Sequence, residues 1–237
     1  MTLTVSSVCT ELPVLWAADT QNHRIQKFDG TSWTVVVGNG VSGTAANRCN
    51  LPKAVVANAG GTRIYVSDTG NNRITYSTDG GTTWAVFAAT GIGLDQVRGP
   101  QALTLDGAGN LYVADALNER VLRFAGGLPG TAFALATSGT GAGQVKSPRG
   151  LAIDNLGNLY VTDKVMHRLL RIANAASVAV ANTGVAVVSG QGLGLSNLNG
   201  PEGCAVDNTG NVYVADTLNE RVIQFPNGTA PGVVMTD

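Results

Sequence analysis

The apolar and polar positions of this 237-residue chain follow one pattern that occurs five times. In each copy a short apolar run ends in aspartate, a polar turn follows, and a second apolar run begins directly after an arginine. The runs that end in aspartate read LWAAD, IYVSD, LYVAD, LYVTD and VYVAD. Short runs rich in valine, tyrosine and isoleucine, bounded by glycine and asparagine, predict β-strands, and no segment shows a helical period of useful length.

The copies are evenly spaced along the whole chain. The aspartates are separated by 49, 47, 48 and 53 residues, and each arginine comes five residues after its aspartate. A fixed period in this range indicates a repeat architecture in which each unit buries its apolar surface against its neighbours. The repeated residues are Asp19, Asp68, Asp115, Asp163 and Asp216, with Arg24, Arg73, Arg120, Arg168 and Arg221.

One period contains four predicted strands. In the fourth copy these are 150–153, 159–162, 168–172 and 185–189, and Gly157-Asn158 supplies a tight turn between the first two. Because the strands are apolar on both faces, each sheet is expected to be covered on both sides. Four-stranded antiparallel sheets repeated radially form a β-propeller, so the fold class predicted is all-β.

The repeat leaves no linker, so the sequence predicts a single domain over residues 1–237. The blades are expected at approximately 1–43, 44–92, 93–140, 141–190 and 191–237. By alignment, 7–10 would form the innermost strand of the first blade and 232–235 the outermost strand of the fifth. Five blades fit either a closed five-blade ring or part of a six-blade propeller.

Composition removes several function classes. Fifteen basic and 16 acidic residues give a net charge of −1, and aromatic residues are only 5% of the chain, which disfavours nucleic-acid binding. No apolar run approaches the roughly 20 residues needed to span a bilayer, and the N-terminus lacks the basic leader of a signal peptide. Cys9, Cys49 and Cys204 lack metal-ligand spacing and are interpreted as buried thiols. The low charged fraction, 13%, favours an extracellular or periplasmic protein.

The repeat resembles the NHL family, which is named for an Asn-His-Leu signature. The third copy carries the family pattern as Pro100, Asp106, Gly109-Asn110, the run 112–115, and Asn118 with Arg120. The fifth copy matches well too, whereas the first lacks the proline and the Gly-Asn turn, and the fourth has Met166 in place of asparagine. The resemblance implies a propeller, commonly of six blades, that most often serves as an interaction platform.

A second resemblance lies within the second copy. Residues 77–84, STDGGTTW, are similar to the Asp-box of sialidase-type propellers, and FDGTSW at 28–33 is a shortened version. In that motif the aspartate is expected to bind the turn backbone, two glycines take positive φ, and the tryptophan packs beneath. The resemblance implies a brace for a hairpin and no catalytic role.

Most chemically suggestive residues are interpreted as structural. A catalytic residue is needed once, whereas the aspartate and arginine recur in every blade, where ion pairing would satisfy buried charges. His23 and His167 lie in turns of different blades, which disfavours a zinc site and the histidine-bound metal of amidating-lyase propellers. The glycine runs at 139–144 and 190–194 lack a following helix and are expected to connect blades rather than bind phosphate.

The best candidate site is a position whose chemistry varies among blades. The residue after each inner-strand proline is Lys53, Gln101, Arg149 or Glu202, with Val5 at the equivalent position of the first copy. If the inner strands line the channel, these side chains meet near one mouth, either as a ligand site or as a solvated polar rim. A second candidate set lies in the turns and is more simply explained by turn stabilisation: Asn22, Asn71, Asn118, Asn219, Glu119 and Glu220.

Two functions remain open from the sequence. The first is a non-catalytic scaffold or sensor-type domain that binds a protein, peptide or glycan partner, with no cofactor and no metal. The second is a propeller hydrolase or lyase in which Glu202 acts at the channel mouth, with Lys53 and Arg149 holding an anion. The oligomeric state is left open.

Overall fold

The computed structural model describes residues 14–192, 194 and 196–235 and contains five antiparallel sheets that succeed one another around a common axis. In the first two blades the strands are β1 Leu15–Asp19, β2 Arg24–Phe28, β3 Trp33–Gly38, β4 Ala54–Ala57, β5 Ile64–Asp68, β6 Arg73–Ser77, β7 Ala85–Thr90 and β8 Gln96–Val97. The remaining strands are β9 Pro100–Leu105, β10 Leu111–Asp115, β11 Arg120–Phe124, β12 Ala132–Ala136, β13 Pro148–Ile153, β14 Leu159–Asp163, β15 Arg168–Ile172, β16 Val185–Ser189, β17 Cys204–Val206, β18 Val212–Asp216, β19 Arg221–Phe225 and β20 Val233–Val234.

The predicted all-β propeller of four-stranded blades is confirmed. Three blades have four strands in sequence order, and the second adds the short β8, which pairs in parallel with β7. Three strands of the first blade are described, and the predicted inner strand at 7–10 lies outside the described residues. The helical segments of the described chain are single 3-10 turns: Thr20–Asn22, Thr69–Asn71, Ala116–Asn118, Ala125–Gly127, Ala175–Ser177, Thr217–Asn219 and Pro226–Gly228.

The hairpin at the far end of the third, fourth and fifth blades is built by an aspartate, a glycine and an asparagine. In the fourth blade Gly157 takes a positive φ of 79°, as expected, whereas Asn158 does not. Asn158 instead donates from its side-chain amide to Asp154 at 2.8 Å, and the same carboxylate accepts the Asn158 backbone N–H. The glycine alone therefore takes the left-handed backbone of this turn, and the asparagine braces the turn through its side-chain amide.

The repeat aspartate organises the opposite end of each blade. Asp115 is fully buried and accepts the backbone N–H of Arg98 at 2.7 Å, the Asn118 amide at 2.8 Å and the Arg120 Nε at 2.7 Å. The Arg120 guanidinium then donates to the carbonyl groups of Ile92, Gly93 and Gln96 in the preceding glycine-rich connection. The pairs of the second and fifth blades join the strand end, the turn and the connection between blades in the same way.

The fourth blade departs from this pattern where its sequence does. Met166 replaces the asparagine and supplies only a backbone N–H to Asp163, at 3.4 Å. The closest approach of Arg168 to Asp163 is 3.7 Å, and the Arg168 Nε is buried without a partner. Asp163 still accepts the backbone N–H groups of Lys146 and Ser147, so the fourth blade keeps its link to the preceding connection with a weaker aspartate–arginine pair.

The hydrophobic core lies between blades. Four clusters are present in the described residues, and they join the first blade to the second, the second to the third, the third to the fourth, and the fourth to the fifth. At the position that faces the following blade, Ile25, Ile74, Val121 and Leu169 are completely buried, whereas Val222 is 43% exposed. At the position that faces the preceding blade, Leu15 is 50% exposed and its four equivalents are buried. The first and fifth blades therefore each present an apolar face.

The Asp-box hairpin has the bracing geometry that its motif implies. Gly80 and Gly81 take φ values of 73° and 97°. Asp79 accepts hydrogen bonds from the Thr83 hydroxyl at 2.6 Å and from the Ser77 hydroxyl at 2.7 Å, and Trp84 donates to the Gly81 carbonyl at 2.9 Å. The Thr83 hydroxyl, the Thr83 N–H and the Ser77 hydroxyl lower the pKa of Asp79 to about 2.

This shift predicts a pH-dependent contribution to stability. Because the folded pKa lies below the ordinary value of 3.8, ionised Asp79 stabilises the hairpin above about pH 4, and this contribution is lost as the pH falls towards 2. We expect Asp79→Asn to lower the midpoint of urea unfolding at about pH 6 and to have a smaller effect at about pH 2.5. An equal loss at both pH values would contradict the assignment.

Candidate functional site

The inner strands bring the predicted variable residues together at one mouth of the channel. Lys53, Gln101, Arg149 and Glu202, with Gly203, line a pocket of about 350 Å³. Each of the four follows a proline at the start of an inner strand, and Pro100 and Pro148 pair with the repeat aspartates of their own blades. The mouth therefore lies on the same face as the aspartate turns. Val5 lies outside the described residues.

The carboxylate of this group is already neutralised. Glu202 forms an ion pair with Lys164, and its backbone carbonyl accepts the Thr162 hydroxyl at 2.6 Å. Lys164 follows the repeat aspartate of the fourth blade, where the other copies have threonine or alanine. The sequence prediction did not include this lysine. The signal that could have revealed it is that Lys164 is the one charged residue at a repeat position that is uncharged in the other four copies.

The two cations that face the pocket are differently placed. In the part of the chain that the structure describes, neither Lys53 nor Arg149 takes part in an ion pair. Lys53 is exposed, whereas Arg149 is half-buried and its Nε is buried without a hydrogen-bond partner. With Lys164 opposite Glu202, the mouth has a net positive charge within a chain whose net charge is −1. Such an arrangement can accept a carboxylate or another small anion.

A larger pocket, of about 510 Å³, lies at the opposite end between the second and third blades. Its lining is mainly the backbone of the two hairpin turns at 57–60 and 105–109. Its charged side chains are already engaged: Arg63 donates to the Gly126 carbonyl at 2.9 Å, and Asp106 accepts from Asn110 and Tyr112. Because its polar groups have partners within the fold, this pocket is the weaker candidate.

The second candidate set is occupied by structural bonds. Each of the four asparagines donates its amide to the repeat aspartate of its own blade at 2.8–2.9 Å: Asn22, Asn71, Asn118 and Asn219. Glu119 pairs with Lys146 at 2.9 Å and also accepts the Ser138 hydroxyl, and these two partners lower its pKa. Glu220 takes the left-handed backbone conformation at the end of the corresponding turn.

The two histidines contact the next blade rather than each other. Their Nδ1 atoms accept backbone N–H groups, His23 from Leu51 at 3.1 Å and His167 from Gly200 at 2.9 Å. Among the described residues no group of three or more His, Cys, Asp or Glu side chains is placed to hold a metal ion. Cys49 and Cys204 are free thiols whose pKa values burial raises to about 12, and Cys9 lies outside the described residues.

No helix in the described ranges is long and apolar enough to cross a bilayer.

Comparison with solved structures shows the fold of this chain. A nidogen/laminin complex superimposes with a TM-score of 0.69 at 19% sequence identity, covering 93% of this chain and 75% of the other. Virginiamycin B lyase from Staphylococcus aureus gives a TM-score of 0.66 at 12% identity, covering 94% of this chain and 66% of the lyase. A streptogramin B lyase gives 0.66 at 11% identity, covering 93% and 64%. The chain thus spans about two thirds of the length of these lyases.

Sequence comparison identifies one of the five repeats by a family model. No curated protein sequence matches the chain. The family model of the NHL repeat matches residues 146–172, which are the connection to the fourth blade and its first three strands. The other four copies repeat the pattern of this segment, with the aspartate, the turn and the arginine in the same register. Residues 146–172 therefore match an NHL repeat, and the chain as a whole has the β-propeller fold.

Proposed function

We propose that this chain is a non-catalytic propeller scaffold that binds a protein or peptide partner at the channel mouth. The observation that carries the proposal is the pair of cations Lys53 and Arg149, which line one pocket without an ion pair in the described structure. Cations without an ion pair in a shared pocket gain from an incoming group of opposite charge. The group such a site favours is a carboxylate of the partner.

The alternative, a hydrolase or lyase acting through Glu202, has weaker support in the site. Glu202 is held in an ion pair with Lys164, so its carboxylate is positioned by a cation on the neighbouring blade. An acid or base needs its reacting oxygen directed at a substrate proton. Similarity to the lyases is similarity of fold at 11–12% identity, and fold does not carry function.

The binding test uses peptide pools of defined composition. A fluorescent acidic–polar pool consists of random peptides of about 12 residues drawn from Glu, Asp, Ser and Gly, a length that spans about 40 Å when extended. The matched basic pool replaces Glu and Asp with Lys. We expect anisotropy titrations to show tighter binding of the acidic pool, and the double variant Lys53→Ala with Arg149→Ala to weaken it by about tenfold or more.

The control for net charge lies at the other end of the propeller. Lys27→Ala combined with Arg63→Ala removes two cations that are far from the mouth, and we expect acidic-pool binding to be retained. If the acidic pool does not bind, or if both double variants bind it equally, the proposed function fails. Loss of acidic-pool binding by the wild type at high salt would further support a site that binds through charge.

A further inference from the structure

A second register position on the mouth face varies among the blades. Two residues after the repeat aspartate, the first two blades have Gln21 and Gly70, whereas the third, fourth and fifth have Leu117, Val165 and Leu218. These three apolar side chains are 63, 58 and 61% exposed. Turns at a solvated face are usually polar, so three consecutive apolar residues at one register require an explanation beyond the fold.

The packing of two of these side chains fixes their position relative to the mouth. Leu117 lies over Gly99, where an added Cβ would approach Leu117 Cγ to 2.7 Å, and Gly99 stands two residues before Gln101. Leu218 lies over Gly200 in the same way, two residues before Glu202. The apolar turns of the third and fifth blades therefore pack on residues that stand two positions before the pocket-lining Gln101 and Glu202.

The same face continues outwards along the connection between the second and third blades. Ile92 and Leu94 in this connection are 76% and 50% exposed, and the carbonyl of Ile92 is bound by Arg120. We define the apolar arc as Ile92, Leu94, Leu117, Val165 and Leu218. It follows the third to fifth blades and is absent at the corresponding turn residues of the first and second.

We propose that the apolar arc and the cationic mouth together form one binding surface for a segment of a protein partner that carries both acidic and apolar side chains. This inference rests on the proposed function and specifies its ligand. An acidic side chain of the segment enters the pocket at Lys53 and Arg149, and neighbouring apolar side chains cover the arc. Because the apolar turn residues belong to the third, fourth and fifth blades, the segment extends from the mouth over those blades.

The placement of the cations favours a peptide over a lipid surface. Arg149 is half-buried where it lines the pocket, so a single carboxylate on a flexible side chain fits this site better than a plane of lipid headgroups. A membrane surface also selects clusters of exposed lysines and arginines, and the chain as a whole has a net charge of −1. The partner expected is therefore a protein segment.

The test adds an acidic–apolar pool, in which Leu replaces Ser, to the acidic–polar pool described above. We expect wild type to bind the acidic–apolar pool about tenfold tighter, since tenfold corresponds to a modest gain from apolar contact. The triple variant Leu117→Ser, Val165→Ser and Leu218→Ser should bind both pools equally and retain acidic–polar binding. Leu156→Ser is the control, because Leu156 is 82% exposed in the hairpin turn at the opposite end of the blade.

The outcomes separate this inference from the proposed function. Equal binding of the two acidic pools by the wild type, or an unchanged preference in the triple variant, overturns the role of the arc and leaves the cationic mouth intact. Failure of both acidic pools to bind overturns both proposals. A third outcome is that the wild type binds phosphatidylserine vesicles, the triple variant does not, and neither prefers one peptide pool. This outcome assigns the surface to a membrane and contradicts the partner proposed. Circular dichroism and the unfolding midpoint of the triple variant establish that it is folded.

Discussion

Val121→Asp is expected to prevent stable folding, whereas Val222→Asp should leave a folded protein. The two valines occupy the same register, directly after the repeat arginine, but Val121 is fully buried between the third and fourth blades and Val222 is 43% exposed. An unpaired carboxylate at Val121 would lower the free energy of unfolding by more than about 4 kcal/mol, a large part of the stability of a typical domain. At Val222 the expected loss is about 1 kcal/mol or less, from β-propensity and partial burial.

Urea unfolding followed by tryptophan fluorescence measures both effects. Val121→Ala and Val222→Ala are the controls, because they remove the same methyl groups without adding charge. We expect Val121→Ala to lower the free energy of unfolding more than Val222→Ala does, with a smaller difference than between the two aspartate variants. Similar losses in the two aspartate variants would show that the outer face of the fifth blade is covered in solution, which contradicts the exposed face described here.

Asp115→Ala is expected to cause the second largest loss, about 3–5 kcal/mol in the free energy of unfolding. The substitution leaves the Arg120 guanidinium without its carboxylate and deprives the Arg98 N–H and the Asn118 amide of their acceptor. Burial raises the pKa of Asp115 although these donors surround it, so its charge is maintained only by its partners. Buried groups that lose one partner are costly because the remaining partner stays desolvated.

The matched variant is Asp19→Ala in the first blade. Asp19 pairs with Arg24 at 2.8 Å in the same register, but the two side chains are 28% and 33% exposed. Water can replace the lost bonds there, so we expect a much smaller loss of stability. Thermal unfolding of both variants by calorimetry makes the comparison, and equal destabilisation would show that burial does not determine the strength of the repeat pair.

Local sequence predicted the blades well because their chemistry is local. The apolar runs, the Gly-Asn turns and the aspartate with its arginine five residues later determine strands, hairpins and register within a single copy. The grouping of Lys53, Gln101, Arg149 and Glu202 at one pocket also followed from the repeat, since equivalent positions of a radial repeat meet at the axis.

Burial could not be predicted in the same way. The pentapeptide LNERV occurs at 117–121 and again at 218–222, yet its valine is fully buried in the third blade and 43% exposed in the fifth. Identical local sequences differ here because the covering surface comes from another blade. The ion pair between Lys164 and Glu202 was missed for the same reason, since it joins residues of two blades that are 38 positions apart.

Binding at the channel mouth can be located by NMR chemical-shift mapping of the acidic–apolar peptide pool on the 237-residue chain. We expect amide signals to change around Lys53, Gln101, Arg149 and Glu202, and in the turns that carry Leu117, Val165 and Leu218. Signals of the hairpin turns at 106–109 and 154–158, at the other end of the propeller, should stay unchanged. Changes confined to those hairpins, or to the exposed faces of the first and fifth blades, would contradict binding at the channel mouth.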